Sequence, residues 1–284
     1  MSSCNSPIAL LPNETLSAIL SHSPTLELLP FALVNRRFYS LVAQVLHQRL
    51  IQATPVPENQ LMLECYHPSV KFYTPYLACK FQKTVVRDGP EFDVGSPTLS
   101  DLQRLYASYR IVWAEENRRP RRIRARFANA GPSQEAEDDI TVHVDLDEGE
   151  SFSQLCAGTY MVKEGPKPGI FVSHISIDEG VIRVFRKWLA ERASQTPPAN
   201  ESHNILWIDR FNNVGIRFRV NPAASERMPL ISGPEDEPPV SYSLVYEELL
   251  VRASTLLRST EEMLVQEISD TGNTVVIHGA ALSG

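Results

Sequence analysis

The sequence predicts an α+β protein: a small three-helix unit at the N-terminus, then a β-rich mixed body with a long helix near its C-terminal end. Three observations predict it. Residues 1–52 place apolar side chains at helical spacing three times over. The stretch "ATPVPEN", residues 53–59, then interrupts with two prolines and reads as a linker. From residue 60 to 284 the texture changes to short runs rich in β-branched and aromatic residues, divided by turn residues.

The first helix begins at Pro12, with Asn13 or the turn before it as cap, and carries Leu16, Ile19 and Leu20 on one face. "SHSP" breaks it. Thr25 caps a second short helix with Leu26, Leu28 and Leu29, ended or bent at Pro30. The third is "LVNRRFYSLVAQVLHQRLI", residues 33–51. Here Phe38, Leu41, Val42, Val45, Leu46 and Arg49 share one side, opposite Arg36, Arg37, Gln44 and Gln48.

In the body, "QLMLECY" (60–66), "KFQKTVV" (80–86), "GIFVSHISI" (169–177) and "VIRVF" (181–185) read as strands. "NILWIDRFNNVGIRFRV" reads as a hairpin turning at Asn212-Asn213, with Ile216, Phe218 and Val220 alternating along its second arm. "TVVIHG" is one more strand. Ser100 opens a helix in "SDLQRLYASYR", with Gln103 completing a capping box. After Ser243, helical spacing of Tyr246, Leu249, Leu250, Ala253, Leu256, Leu257, Met263 and Leu264 predicts a helix of about 20 residues. A strand over 244–251 is the rival reading of its first part.

Bulk properties narrow the function classes. The 284 residues are 43% apolar and 21% charged, with net charge −7, so the whole chain offers no general attraction to nucleic acid or anionic membrane. Nothing approaches the ~18 apolar residues of a membrane span, and the start lacks the basic and apolar regions of a secretory signal. Cys4, Cys65, Cys79 and Cys156 show no CxxC pairing and no histidine at metal spacing. They read as free thiols in the cytoplasm or nucleus.

"LPNETLSAILSHSPTLELLPFALVNRRFYSL", Leu11 to Leu41, carries a denser pattern: Leu-Pro-x-Glu-x-Leu, Ile-Leu, Leu-Leu, then Val-x-x-Arg and an aromatic. In this chain these are Leu11, Pro12, Glu14, Leu16, Ile19, Leu20, Leu28, Leu29, Leu33, Val34, Arg37 and Phe38. The stretch resembles the F-box, without a gap, over about 40 of the 284 residues, and the overall look is similar to the short F-box proteins common in filamentous fungi. Two positions depart from the family pattern: Ser23 stands where a leucine usually closes the first turn, and Phe38 where tryptophan is frequent.

The resemblance implies a substrate-receptor subunit of a Skp–cullin–F-box ubiquitin ligase. The three helices would dock on the Skp-type adaptor, through it on a cullin-RING ligase, and the body would hold an unknown protein target. The adaptor-binding residues it implies are Leu11, Pro12, Leu16, Ile19, Leu33, Val34 and Phe38. It implies no catalytic residue, metal or cofactor. Independently, a ~40-residue helical trio with no disulfide or metal pattern needs something to pack on. Its alternative is an N-terminal subdomain packed on its own body.

Two further features invite other functions. "RRPRRIRARF", 118–127, has six arginines in ten residues, a nucleic-acid or import pattern. Yet Arg122, Arg124 and Arg126 alternate with Ile123, Ala125 and Phe127, while "DITVHVDLD" alternates in the same way. Pairing of these two strands would set arginines against aspartates, and eight acidic residues between Glu135 and Glu150 offset the charge locally. Second, His143-x-Asp145 with His203 could form the facial triad of a non-haem iron enzyme, with Arg210 or Arg217 gripping a cosubstrate. No GxSxG, Walker loop, dinucleotide fingerprint or HExxH is present. A body that binds a small ligand or glycan is the remaining alternative, and a deep apolar pocket would mark it.

Overall fold

The computed structural model describes residues 7–69, 74–87, 89, 96–114, 139–166, 170–194, 204–223, 238–269 and 276–277. The helices come first: a 3-10 turn Pro7–Leu10, α1 (Asn13–Leu20), α2 (Thr25–Leu28), a second 3-10 turn Leu29–Leu33, and α3 (Arg36–Ala53). A ten-stranded sheet follows, broken by three helices: β1 (Gln60–Tyr66), β2 (Leu77–Val86), α4 (Leu99–Leu102), β3 (Leu105–Trp113), β4 (Thr141–Leu146), β5 (Phe152–Glu164), β6 (Ile170–Phe185), α5 (Arg186–Ser194), β7 (Ile205–Trp207), β8 (Val214–Ala223), β9 (Val240–Arg252), α6 (Ala253–Ser269) and β10 (Val276–Ile277). The molecule is α+β, with the helices gathered at its start and end. No helix among the described residues is long and apolar enough to cross a membrane.

Every strand pairing among the described residues is antiparallel, and the order is β10-β6-β5-β1-β2-β3-β9-β8-β7, with β4 paired to β9 beside β3. The sheet curls, because Ile175 and Ile182 of β6 share one apolar cluster with Val214 and Phe218 of β8, from near the opposite edge. Gly180 on β6 lies so close to the turn after β7 that a Cβ there would sit 2.9 Å from the Ile208 carbonyl oxygen. Only glycine permits that approach. Leu256 and Met263 of α6 close the same cluster from one side.

Two segments depart from the sequence reading. Residues 240–252 form β9, and the helix starts only at Ala253, so the rival strand reading of 244–251 is the correct one. Likewise α4 is one turn, capped by Thr98 with Asp101 completing the box, and Leu105–Trp113 is β3. The reason is common to both. β3 and β9 are central strands covered on both faces, and such strands carry continuous apolar runs, which by chance also satisfy helical spacing. Leu244, Val245, Leu249, Leu250 and Val251 are all buried. The strands read at 169–177 and 181–185 are one continuous β6.

The 53–59 stretch is built rather than slack. Thr54 and Val56 are buried, the Tyr109 hydroxyl donates to the Thr54 carbonyl, and Thr54 and Thr84 hydroxyls lie 3.2 Å apart. Val56 adopts φ 51, a conformation a β-branched residue reaches only where its surroundings hold it. The helical trio therefore sits on the body directly. Leu41, Val42, Val45 and Leu46 of α3 share a cluster with Leu102 and Leu105 and with Ala253 and Leu257 of α6.

Candidate functional site

Interest centres on the side of the trio that the body leaves uncovered. It is organised around the first turn of α3. The Asn35 side chain accepts the Phe38 amide N–H at 2.9 Å and so fixes where that helix begins. One turn in, Arg37 reaches back: its Nε donates to Asn13 Oδ1 at 2.7 Å, and its Nη donates to the Leu11 carbonyl. The Leu-Pro pair that precedes α1 is thereby pinned beside the start of α3. Phe31 stacks on Phe38 with ring centroids 6.4 Å apart, which brings the second 3-10 turn to the same place.

The result is a concentration of exposed apolar side chains. Leu33 is 88% exposed, Leu10 75% and Val34 62%. Ile8, Ile19, Leu26, Leu29 and Phe31 are exposed as well. About half of the exposed large apolar side chains among the described residues lie on these few turns of helix. Scattered single exposures are ordinary on any surface, but concentration of this kind marks a contact surface.

Of the residues the family resemblance implies, Pro12, Ile19, Leu33 and Val34 are exposed, and Leu11 and Phe38 are half-buried with one side still open. Leu16 differs: at 3% exposure it packs inside the trio with Leu20, Leu28 and Ala32, so its contribution is internal. Ile8, Leu10 and Phe31 were not anticipated. The first two precede the motif, and Phe31 falls between its specified positions, although an aromatic next to Pro30 was a legible signal.

Toward its other end, α3 is tied to the body by Arg49. Its guanidinium donates to the carbonyls of Ser21 at 2.8 Å and Ser23 at 2.6 Å and to the Thr25 hydroxyl at 2.9 Å, and it lies 3.7 Å from the Glu261 carboxylate of α6. Ser23, the departure from the family pattern, thus serves through its carbonyl. Thr25 was expected to cap α2. Instead it opens that helix, and its hydroxyl donates to Glu261.

The body holds a second concave feature. A pocket of about 910 Å³ opens between β4, the far end of β3 and the start of β5, with Trp113, Tyr246 and Phe152 among its walls and His143, Asp145, Asp147 and Glu150 at its polar side. Its size suits a ligand, but its lining is mixed rather than apolar. Cys65 also borders it. Burial pushes that thiol up to about 12, which keeps it protonated and inert.

The iron-site constellation lies only partly within the described residues. His143 and Asp145 share a face of β4, but Asp145 accepts a hydrogen bond from Ser241 at 2.7 Å, and His203 lies outside the described residues. Arg217 is paired with Glu248 at 2.8 Å, and Arg210 lies over the Phe211 ring. No group of three or more His, Cys, Asp or Glu side chains among the described residues could hold a metal. The arginine segment 118–127 also lies outside the described residues, and the strand it was expected to pair with, β4, pairs with β9.

Comparison with known proteins bears on the N-terminal helices. Residues 8–53 match the model of the F-box-like family, so an F-box-like domain occupies α1 to α3. No curated protein and no solved structure matches the chain.

Proposed function

From the F-box-like domain at residues 8–53, we propose that this chain is the substrate-receptor subunit of a Skp–cullin–F-box ubiquitin ligase. In this reading a Skp-type adaptor covers the outward face formed by Leu11, Pro12, Ile19, Leu33, Val34 and Phe38, and links it to a cullin-RING core. The β-rich body carries the target. The chain performs no catalysis itself. It raises the frequency with which a target lysine meets the charged conjugating enzyme, by holding both on one assembly. The compartment is the cytoplasm, the nucleus or both.

The observation that carries the proposal is the apolar face around Leu33 and Val34, which the chain's own body leaves open. An interior packing element would have been covered. Its test is capture of the intact chain by a purified Skp-type adaptor. Leu33→Asp/Val34→Asp places two charges on a surface that touches little of the chain itself. Adaptor capture should fall at least a hundredfold while circular dichroism and thermal midpoint stay unchanged. Undiminished capture by the folded double variant refutes the reading.

A further inference from the structure

The body's strands leave an edge that can take a peptide. β9 is bonded along one side by β8. Its other side is shared: Tyr106–Tyr109 of β3 lie opposite Arg252–Leu249, and Thr141–Leu146 of β4 lie opposite Val245–Val240. Past Tyr109, β3 parts from β9 while its other edge stays paired to β2, as far as Trp113 opposite Leu77. This divergence opens a wedge beside β4, and the pocket of about 910 Å³ lies in it.

The polarity of the β4 edge follows from one hydrogen bond. The Tyr246 N–H donates to the Ile140 carbonyl at 2.9 Å. In an antiparallel ladder alternate residues turn their backbone groups to the same side. Ile140, Val142, Val144 and Leu146 therefore address β9, and Thr141, His143 and Asp145 point their N–H and C=O groups away from it. No strand pairs with β4 on that side among the described residues, and those three residues have no other main-chain partner there. Unpaired strand edges of this kind template a further strand.

Two further observations give the wedge a chemistry. Ser153 of β5 is only 7% exposed, lines the pocket, and its hydroxyl has no hydrogen-bond partner among the described residues. The carboxylates of Asp145 and Glu150 line the same pocket; each accepts one hydrogen bond, from the Ser241 hydroxyl and the Asp147 N–H, and neither has an ion pair among the described residues. Along β4, His143 and Asp145 face one way while Val144 is buried on the other.

We propose that β4 and its wedge receive an extended segment of a partner protein, added as a strand, with basic side chains toward Asp145 and Glu150 and apolar ones toward Trp113. Main-chain bonds to Thr141, His143 and Asp145 supply affinity, and the alternation of basic and apolar residues supplies selection. The inference rests on the substrate-receptor reading for its biological role, since it names what the body would capture.

The test uses a fluorescein-labelled Arg-Val-Arg-Val-Arg-Val peptide and the full chain, read by anisotropy. Saturable binding is expected. It should weaken at least tenfold when the peptide is N-methylated at alternate residues in one of the two registers, and at least tenfold when Glu replaces Arg. His143→Pro removes an edge N–H without touching the β9 ladder; it should lose the peptide at least tenfold yet keep full capture by a Skp-type adaptor. Absent binding, binding indifferent to N-methylation in both registers, or binding unchanged in His143→Pro overturns the proposal. So does a large gain in probe affinity when Arg122, Arg124 and Arg126 become serine, because the chain's own segment would then be the occupant. A protein that binds the probe but not the adaptor would sink the receptor reading alone.

Discussion

The two sides of the N-terminal helices use the same kinds of residue and differ in what covers them. Toward the body, Leu41, Val42, Val45 and Leu46 share one buried cluster with Leu102, Leu105, Ala253 and Leu257, and Arg49 ties the α1–α2 turn to Glu261. Away from it, Leu10, Leu33 and Val34 remain exposed. Leucines on both sides are equally apolar, so hydrophobicity alone does not say which of them face a partner. The difference lies in position: the covered residues recur at helical spacing along α3, whereas the open ones sit at helix ends and in 3-10 turns. A helix buries a continuous stripe efficiently against its own chain. Side chains at helix ends project past that stripe and are left over.

The comparison breaks most visibly if a residue of each kind is truncated alone. Leu28 is fully buried between the short helices. Leu28→Ala should cost about 2–5 kcal/mol of stability by lost burial and cavity formation. Leu33→Ala should leave stability within about 0.5 kcal/mol while weakening adaptor binding roughly tenfold, as for an interface anchor. Denaturant unfolding and adaptor titration of both variants separate the two classes. Equal stability losses would show that the outward face is structural after all.

A smaller effect sharpens the body side. Arg49→Leu keeps most of the apolar stem but removes donors to the Ser21 and Ser23 carbonyls and the Thr25 hydroxyl. Its cost should be about 1.5–3 kcal/mol, the range for hydrogen bonds to a charged group. Glu261 is more exposed than Arg49, so Glu261→Gln should cost less than about 1 kcal/mol. Hydrogen exchange in the α1–α2 turn should rise in the first variant and barely in the second.

The same contrast explains what could be read in advance. The helical trio was legible because its signals are local: Pro12 at the start of α1, and the stripe from Phe38 to Arg49 along α3. Its cap was not read: the helix was expected from residue 33, and Asn35 starts it at Arg36. β1 was legible to the residue, and so was the turn at Asn212, which adopts φ 57. β3 and β9 were obscured because tertiary burial on both faces erases alternation. β5 and α5 went unread: "FSQLCAGTYMVKE" interrupts its buried positions with small residues, and Arg186–Ser194 buries only Leu189 fully. The wedge beside β4 has no local signature at all. It arises where β3 parts from β9 while staying paired to β2 on its other edge, a decision made by partners distant in sequence. Conversely, the compact seat of Thr54 and Val56 shows that prolines at 55 and 57 shape a turn as readily as a tether.

The smallest effect tests whether the two sides are mechanically joined. Asn35 stands between exposed Val34 and the first turn of α3, and caps the Phe38 amide. Asn35→Ala should cost about 1 kcal/mol of stability, as loss of an N-cap does. Fraying that turn also loosens Arg37, which pins Leu11 beside it, and shifts Phe38 against Phe31. Adaptor affinity should therefore fall severalfold although Asn35 need touch no adaptor atom, and Asn35→Asp should restore both quantities because a carboxylate caps equally well. If Asn35→Ala lowers stability and leaves affinity untouched, the outward face holds its shape without the α3 cap. The joint between the two sides would then lie elsewhere, with the 3-10 turn Leu29–Leu33 the element left to supply it.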